Sequence, residues 1–438
     1  DPNKYVERLL YLYRLFSGIV NVAFNDDPML LASRDKAYQE IVNNTSVFST
    51  EIPCSVRSGV RRLETRCPEL LASYCDMMLR KSPINRRLST SEIEKHLENV
   101  LLVLTYVNSK DIFMRVYKAH LMRRLLLETS ADHEMEELMV DRLRNIGMPA
   151  EHVNKMGRMF LDIKVSRDLT TNFRASLHAS ESNASPSSSL SIASSSFVEI
   201  INILILTSGS WVLQSDEKPS VSLPSELEDF LPAIEEFYRK KHQGRNLVWQ
   251  HHLSHGVLLF TSNHGRFEFE LTAYQLVLPF LPVLFIPQRG ALQTLCEHPK
   301  MDQQLILYSP KAKSDREFTE ATEFWLNMEF STPKVGKPQG RRRINLIGRL
   351  QLMQETSNEE ETLAIVQLRQ LRAQEAIIKI LKTRKRLHYN ELYTELVELL
   401  RFQFVPSKRL IKEVLEWLIE QQYVKRDDKD RNVFVYMT

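Results

Sequence analysis

The sequence has little cysteine, no long apolar run and almost no net charge. Only four of its 438 residues are cysteine, and no two of them form a Cys-x-x-Cys pair. We therefore expect reduced, mostly buried thiols, as in a cytoplasmic and nuclear protein, and no disulfide framework. The four cysteines are Cys54, Cys67, Cys75 and Cys296.

Membrane and secretory segments are also lacking in the sequence. The longest apolar runs, residues 200–206 and 277–286, are too short to span a bilayer. No basic and then apolar leader opens the chain, so we expect no secretory signal. Helical periodicity begins with the first residues, and we therefore expect the chain to be part of a longer protein.

The charges nearly balance, and no motif of a common enzyme class is present. Lysine and arginine number 58 against 55 aspartates and glutamates, a net charge of +3, which does not indicate a nucleic-acid or membrane partner. A nucleophile elbow, a P-loop and a His-Glu-x-x-His motif are absent, which favours a protein without catalytic chemistry. His251, His252 and His255 have no cysteine or carboxylate at zinc spacing, so we expect a solvated turn there.

Apolar spacing predicts helices throughout the first 170 residues, which indicates a helical bundle. The sequence S-T-S-E at residues 89–92 is a capping box that opens one of these helices. We interpret Arg123 and Arg124 as solvated charges and His120 as a packed or capping histidine rather than a ligand.

The middle of the chain changes to a mixed pattern. Residues 180–196 are rich in serine and have too little apolar surface to offset the entropy of ordering, so we expect a disordered or mobile loop. A helix is predicted at 225–242, and Pro279, Pro282 and Pro287 exclude a long helix nearby. Alternating apolar residues predict strands at 197–206, 247–249, 257–261 and 267–271.

Residues 377–386, I-I-K-I-L-K-T-R-K-R, combine an apolar helix face with a basic one. At about 100° per residue, Lys382 lies about 120° from the centre of the apolar stripe, and Lys379 lies almost opposite that stripe. The commoner explanation of such a run is a solvated cationic face. An amine on a rigid surface can also be a nucleophile for acyl transfer, because a fixed amine loses less orientational entropy.

The last fifty residues read as two more helices and a short hairpin. With the helix before them they make the pattern of a winged helix, a module that often enters the DNA major groove. Pro406 fits the first turn of its last helix. Glu413, Glu416 and Glu420 cancel the cations of that helix, so protein docking is the better interpretation, since phosphate binding needs an uncompensated positive face.

Long motifs at both ends of the chain resemble the cullin family. Residues 411–426, I-K-E-V-L-E-W-L-I-E-Q-Q-Y-V-K-R, followed by F-V-Y-M-T at the end, resemble the cullin C-terminus, where Thr438 replaces the usual serine or alanine. Residues 377–385 resemble the stretch that carries the neddylation lysine. Residues 111–126 and 156–169 resemble the cullin four-helix bundle, and further matches fall at 222–231, 237–249, 344–352 and 365–375.

The resemblance implies an α+β fold, mostly α, in five parts. They are a helical bundle at 1–170; an α/β domain with a small sheet at 171–273, including the loop 180–196; a degenerate or shortened winged-helix region and linker at 274–343; a strand and a long helix with the acceptor lysine at 344–386; and a C-terminal winged helix at 387–438. Cullins usually have two recognisable helices where this chain has residues 274–296.

The resemblance also implies a function: a non-catalytic scaffold subunit of a ubiquitin ligase. The α/β domain would bind a RING-box protein, which recruits a ubiquitin-conjugating enzyme, and the ubiquitin-like neddylation modifier would be attached to Lys382 by its own conjugating enzyme. Adaptors and substrate receptors would bind only through an N-terminal half that this chain lacks. No cofactor is expected, with zinc only in the RING-box partner. The implied surrounding basic residues are Lys379, Arg384, Lys385 and Arg386, and the implied RING-box contacts are Phe197, Val198, Ile200 and Trp249.

Two other hypotheses stay open at this point. One is a winged-helix nucleic-acid-binding protein that uses the basic run at residues 379–386. The other is a purely structural helical scaffold without a modification site. The sequence does not tell which RING-box paralogue binds, or which edge of the small sheet receives the partner's strand.

Overall fold

The protein folds into two compact units that are mostly helical with small sheets, which confirms the predicted α+β class. The first unit is Asp1–Val165 with Leu204–Val212 and Thr356–Thr438, and the second is Ser166–Ile203 with Leu213–Glu355. The computed structural model describes residues 2–46, 48–55, 58–82, 85–182, 200–211, 230–273, 275, 304–309, 323–331, 342–347 and 358–437. Within these residues no helix is both long and apolar enough to cross a bilayer.

The first unit begins with a helical bundle. The predicted capping box is confirmed, because the Ser89 hydroxyl accepts from the Glu92 amide while the Glu92 carboxylate accepts from the Ser89 amide. A break at residues 146–149 precedes the last of its helices. The helices are α1 (Pro2–Phe24), α2 (Pro28–Val42), α3 (Cys67–Leu79), α4 (Thr90–Tyr106), α5 (Lys110–Leu126), α6 (His133–Asn145) and α7 (Ala150–Ser182).

The prediction of helix throughout the first 170 residues was wrong at one place. Strands β1 (Ser49–Ser55) and β2 (Ser58–Thr65) form an antiparallel hairpin between α2 and α3. Pro53 lies in this segment and has no amide hydrogen to donate within a helix. In a strand, by contrast, every second side chain can face the interior. Ile52 is buried in this way, against Ile112 and Val366.

Arg124 is buried, so its interpretation as a solvated charge was wrong. Its guanidinium makes two bonds to Glu136, of 2.6 and 2.7 Å, and one of 2.8 Å to Asp76. Ser130 donates to the same Glu136 carboxylate, and the side chains of Arg124 and Glu136 are fully inaccessible. A charge is tolerated there only because it is paired and hydrogen-bonded.

His120 is packed at the edge of this cluster, as predicted. Its Nδ1 lies 3.9 Å from an Asp76 oxygen, and only 22% of its side chain is exposed. Burial lowers the pKa of His120 to about 4; Asp76 opposes this shift, and Arg123 and Arg124 add to it. The imidazole is therefore neutral at pH 7.

The second unit contains the remainder of α7, helix α8 (Phe230–Lys241) and two small sheets. Strands β3 (His255–Ser262) and β4 (Gly265–Thr272) confirm the predictions at 257–261 and 267–271, and they pair antiparallel through a tight turn at Gly265, whose φ is +135°. The three-stranded sheet has the order β3-β4-β7, with β7 (Arg342–Asn345) parallel to β4. The other strands, β5 (Ile306–Ser309) and β6 (Glu323–Leu326), form a separate pair.

Two predicted strands of this unit are not found in the described residues. Residues 200–206 and 247–249 are irregular. The backbone N–H and C=O of Ile203 both bond to the Thr170 hydroxyl, and Arg174 donates to the carbonyl of Ile201. Side chains of α7 thus satisfy backbone groups that a neighbouring strand would otherwise bind.

Several predictions concern residues that lie outside the described part. These are most of the serine-rich loop (183–196), the start of the predicted helix at 225–229, residues 274 and 276–296, the linker at 334–341, Phe197, Val198 and Cys296.

Cys67 and Cys75 are buried free thiols, as predicted. His251 lies in a short 3₁₀ turn, and no three potential metal ligands cluster anywhere in the described part of the chain.

The C-terminal module is a winged helix, as the pattern predicts. Its spine is the long helix α9 (Asn358–Arg384), and its sheet has the order β8-β10-β9. Ser407, not Pro406, caps the last helix by accepting from the Leu410 amide, so the proline lies outside the first turn. The other elements are β8 (Arg386–His388), α10 (Tyr389–Leu400), α11 (Lys408–Glu420), β9 (Val424–Arg426) and β10 (Val433–Tyr436).

We predict that Arg124→Met destabilises the bundle by about 4 kcal/mol, because it leaves Asp76 and Glu136 buried without their shared partner. The matched control is Arg144→Met, which breaks an exposed pair with Asp141 and should cost less than about 1 kcal/mol. Native-state hydrogen exchange in α3 and α5 measures both. Equal costs for the two variants would contradict the role of the cluster.

We predict that the bundle loses about 2 kcal/mol of stability between pH 7 and pH 4.5 through His120. Its pKa is about 4 when folded and about 6.5 when unfolded, so the unfolded chain binds the extra proton in this window. The stability is therefore complete above pH 6.5 and is lost as the pH falls towards 4. In His120→Gln the urea midpoint of unfolding should change less between pH 7 and pH 4.5 than in the unchanged chain. An equal change in the two proteins would contradict the assignment.

Candidate functional site

Helix α9 contributes to two hydrophobic regions, one along each half of its length. Val366 packs on Ile52 of the hairpin and Ile112 of α5. From Ala373 onward the helix packs into the core of the winged helix, which α10, α11, β8, β9 and β10 complete. The buried side chains of this second half are Ala373, Ala376, Ile377, Ile380 and Leu381.

Lys382 lies on the last turn of α9, on the side that faces solvent. The residue is exposed, whereas the neighbouring Leu381 is fully buried in the module core. The helix ends two residues later, where Lys385 takes a φ of +68° and its amide bonds to the Leu381 carbonyl at 2.8 Å. The backbone beneath the amine is therefore fixed by packing on one side and by the helix end on the other.

The other basic residues of the run do not form one free cationic surface. Arg384 pairs with Glu395 at 3.1 Å, Arg386 pairs with Asp427 at 2.6 Å, and the Lys385 amine lies 5.5 Å from the centre of the Tyr436 ring. The side chains of Lys379 and Lys382 form no hydrogen bond or ion pair with a described residue. Lys379 and Lys382, one turn apart, are thus the two cations of the run without a described side-chain contact.

This arrangement presents an amine but does not activate it. No described acid or base contacts Lys382, so nothing in this part of the protein is placed to remove its proton during an attack. The described surroundings of Lys382 therefore order its backbone and leave its amine exposed.

The second candidate site is the outer edge of the sheet β3-β4-β7. Among the described strands, β3 pairs only with β4, and it exposes two large apolar side chains, Val257 (49%) and Leu259 (72%). An edge strand of this kind can receive a strand from another chain. Sequence reasoning missed these residues because the run V-L-L-F reads as a buried strand.

The residues predicted to contact a RING-box protein are not on that edge where they are described. Ile200 is exposed but lies in a turn, and Trp249 donates from its indole to Glu235 at 2.7 Å and stacks on His251. Phe197 and Val198 lie outside the described residues. The structure does not bring Ile200 and Trp249 together in a strand.

Comparison with known proteins identifies the family. A model of the cullin alpha solenoid domain matches residues 1–170, the cullin alpha+beta domain matches 205–281, and the cullin protein neddylation domain matches 368–430, a range that includes Lys382. The winged helix with an exposed lysine on its spine is thus the neddylation domain of a cullin. The chain belongs to the cullin family.

Within the family the chain resembles cullin-5. It is 42% identical to Cullin-5 of Caenorhabditis elegans in an alignment that covers all of this chain and 58% of that protein. It is 30% identical to Cullin-1 of Dictyostelium discoideum and 26% identical to Cullin-1 of Caenorhabditis elegans, again over the whole chain and 54% of each relative. The chain therefore spans little more than half the length of the relatives it matches.

Proposed function

We propose that this chain is the part of a cullin–RING ubiquitin ligase scaffold that holds a RING-box protein and accepts a ubiquitin-like modifier on Lys382. The observation that carries the proposal is the exposed amine on the packed end of α9, which pairs with no described residue and lies within the range matched by the neddylation domain. The scaffold would catalyse no reaction itself. It would raise the local concentration of a ubiquitin thioester near a substrate by holding the two close together. It would act in the cytoplasm and nucleus and would hold no metal, with zinc only in the RING-box partner.

The reaction at Lys382 is an acyl transfer. The neutral amine attacks the thioester that joins the modifier's C-terminal carboxyl group to a conjugating enzyme, an isopeptide bond forms, and the enzyme's thiol leaves. Helix α9 favours this step because the Lys382 backbone is already ordered, so little orientational entropy remains to be lost. Lys379, one turn away and equally unpartnered, is the competing acceptor.

We predict that Lys382→Arg abolishes attachment of the modifier while the fold is kept, since arginine retains the charge and the exposed position but is not a nucleophile at neutral pH. Lys379→Arg is the matched control and should leave the modified fraction unchanged. Incubation of each purified variant with the modifier and its activating and conjugating enzymes, followed by intact-mass measurement, gives the result. Full modification of the Lys382 variant would refute the assignment.

The RING-box protein is proposed to add a strand to the β3 edge. Main-chain hydrogen bonds would supply affinity, and Val257 and Leu259 would offer an apolar contact for alternate side chains of the added strand. This proposal replaces Ile200 and Trp249 as the principal contacts. It agrees with the open end of the strand order β3-β4-β7 among the described residues.

We predict that Val257→Glu together with Leu259→Glu lowers RING-box binding at least tenfold, because two charges would be desolvated beside the added strand. The control is Val248→Glu, which changes a residue of comparable exposure (58%) outside the sheet. Co-purification with RING-box proteins and titration calorimetry measure the loss. Equal affinities for the two variants would place the interface elsewhere.

The nucleic-acid alternative has less support in the structure. Arg384 and Arg386 are engaged by Glu395 and Asp427, so two of the five cations of the predicted basic run are already neutralised within the module. Phosphate binding gains affinity from each uncompensated cation. Lys379, Lys382 and Lys385 remain, and three cations provide only a small positive surface for DNA.

A further inference from the structure

The backbone of Lys385, close after the proposed acceptor Lys382, has a left-handed conformation. Its φ is +68°, and helix α9 ends at the residue before it. Residues with a side chain rarely take this conformation, because the Cβ then lies too close to the following carbonyl oxygen. Glycine is the usual residue at such a helix end. A lysine in this conformation beside a functional residue is an outlier that indicates a role.

Lys385 is also the single residue through which the chain passes from α9 into β8, and we call it the joint. Its amide donates to the Leu381 carbonyl of α9 at 2.8 Å, and its carbonyl accepts from the Tyr436 amide of β10 at 3.0 Å. Its ammonium lies 5.5 Å from the centre of the Tyr436 ring, within reach of a cation–π contact. The joint is therefore bonded to the helix before it and to the sheet after it.

The residues on either side of the joint contact two further elements of the winged helix. Arg384 pairs with Glu395 of α10 at 3.1 Å, and Arg386 pairs with Asp427, directly after β9, at 2.6 Å. Each pair is partly exposed, so each contributes little stability by itself. Together with the joint they attach three consecutive residues to α10, to β10 and to the turn after β9. The direction in which the chain leaves α9 is thus fixed by several contacts at once.

The joint bears on Lys382 because that residue belongs to the last turn of α9. The last four carbonyls of a helix have no amide partner further along the helix, so its last turn is the least restrained. The Lys385 amide satisfies the first of these carbonyls, that of Leu381. With any other conformation at the joint the chain would leave α9 in another direction and this bond would break. The backbone of Lys382 would then be freer, and ordering its amine for an attack would cost more entropy.

We propose that Lys385 is a positioning residue for acyl transfer to Lys382, because its left-handed backbone ends α9 in the direction that keeps the acceptor amine ordered. This role rests on the proposed function. Lys385 touches none of the reacting atoms, which are the Lys382 nitrogen and the carbonyl carbon and sulfur of the thioester. The role belongs to the backbone conformation of the joint and not to its positive charge, and substitution can separate the two.

Two variants of the full chain make this separation. Lys385→Gly and Lys385→Val both remove the ammonium, but glycine takes a positive φ freely, whereas a β-branched residue does not. Each chain is titrated against a limiting amount of conjugating enzyme charged with the modifier, and transfer to Lys382 is timed by intact mass. The maximal rate for Lys385→Val should be at least about tenfold below that for Lys385→Gly, since a misplaced amine attacks slowly. The half-saturating chain concentrations should agree within about twofold, because binding is not what the joint changes.

A merely structural role of the joint predicts a different result. Partial unfolding of the winged helix would lower the fraction of competent chain, which raises the half-saturating concentration and leaves the maximal rate unchanged. Gln422→Val is the matched control, since Gln422 is exposed, follows α11 of the same module and has a φ of +61°. Its maximal rate should stay within about twofold of that of the unchanged chain, because the strain it introduces lies far along the chain from the end of α9.

Hydrogen exchange on the two Lys385 variants tests the joint without the modifier. The Tyr436 amide, which donates to the joint, should exchange at least about tenfold faster in Lys385→Val than in Lys385→Gly, while the amides of Val414 and Leu418 in the module core agree within about twofold. Equal Tyr436 rates in the two variants, or equal maximal rates of transfer, would overturn the proposal. Absence of any attachment at Lys382 in the unchanged chain would refute the proposed function, and this role with it.

Discussion

The packing of α9 against two different partners is the constraint on which the first unit depends. Its first half reaches the hairpin and α5 through Val366 and Arg369, and its second half fills the winged-helix core through Ile377, Ile380 and Leu381. At the end of the helix the exposed positions are those of Lys382, Thr383 and Arg384, which follow the buried Leu381. Lys382 is at one of them, so the packing that orders the helix also exposes the amine.

Two clusters of buried charged side chains fix how the helices of the first unit pack together. Arg124 ties α3, α5 and α6 together, and Arg369 ties α9 to α5 and the hairpin. In both clusters a planar guanidinium binds two carboxylates, a geometry that an apolar contact would not impose. These arginines contribute less to net stability than to the register in which helices meet, because their desolvation is costly.

The sequence predicted what depends on near neighbours along the chain. The Ser89 capping box, the apolar stripe of α9 and the strands β3 and β4 follow from spacing within a few residues, and the structure has all of them. The exposure of Lys382 could be predicted for the same reason. Its role as an acceptor rests on family membership and stays a prediction.

The errors concern partners that are distant in the sequence. Arg124 meets Asp76 from 48 positions away, so no local pattern distinguishes this arginine from a solvated one. The segment at 200–206 has the composition of a strand, but the Thr170 hydroxyl binds the backbone groups of Ile203. Local propensity was overridden by tertiary contacts in each case.

The central claim is that packing of α9 selects one amine among many exposed lysines. The most direct measurement is the attachment site in the unchanged chain: modification by the ubiquitin-like modifier to completion, followed by proteolysis and mass-spectrometric mapping of every branched peptide. The account predicts a single branched peptide, at Lys382. Branches spread over Lys379, Lys412 and Lys425, all of which are exposed, would contradict it, because exposure alone would then decide the site.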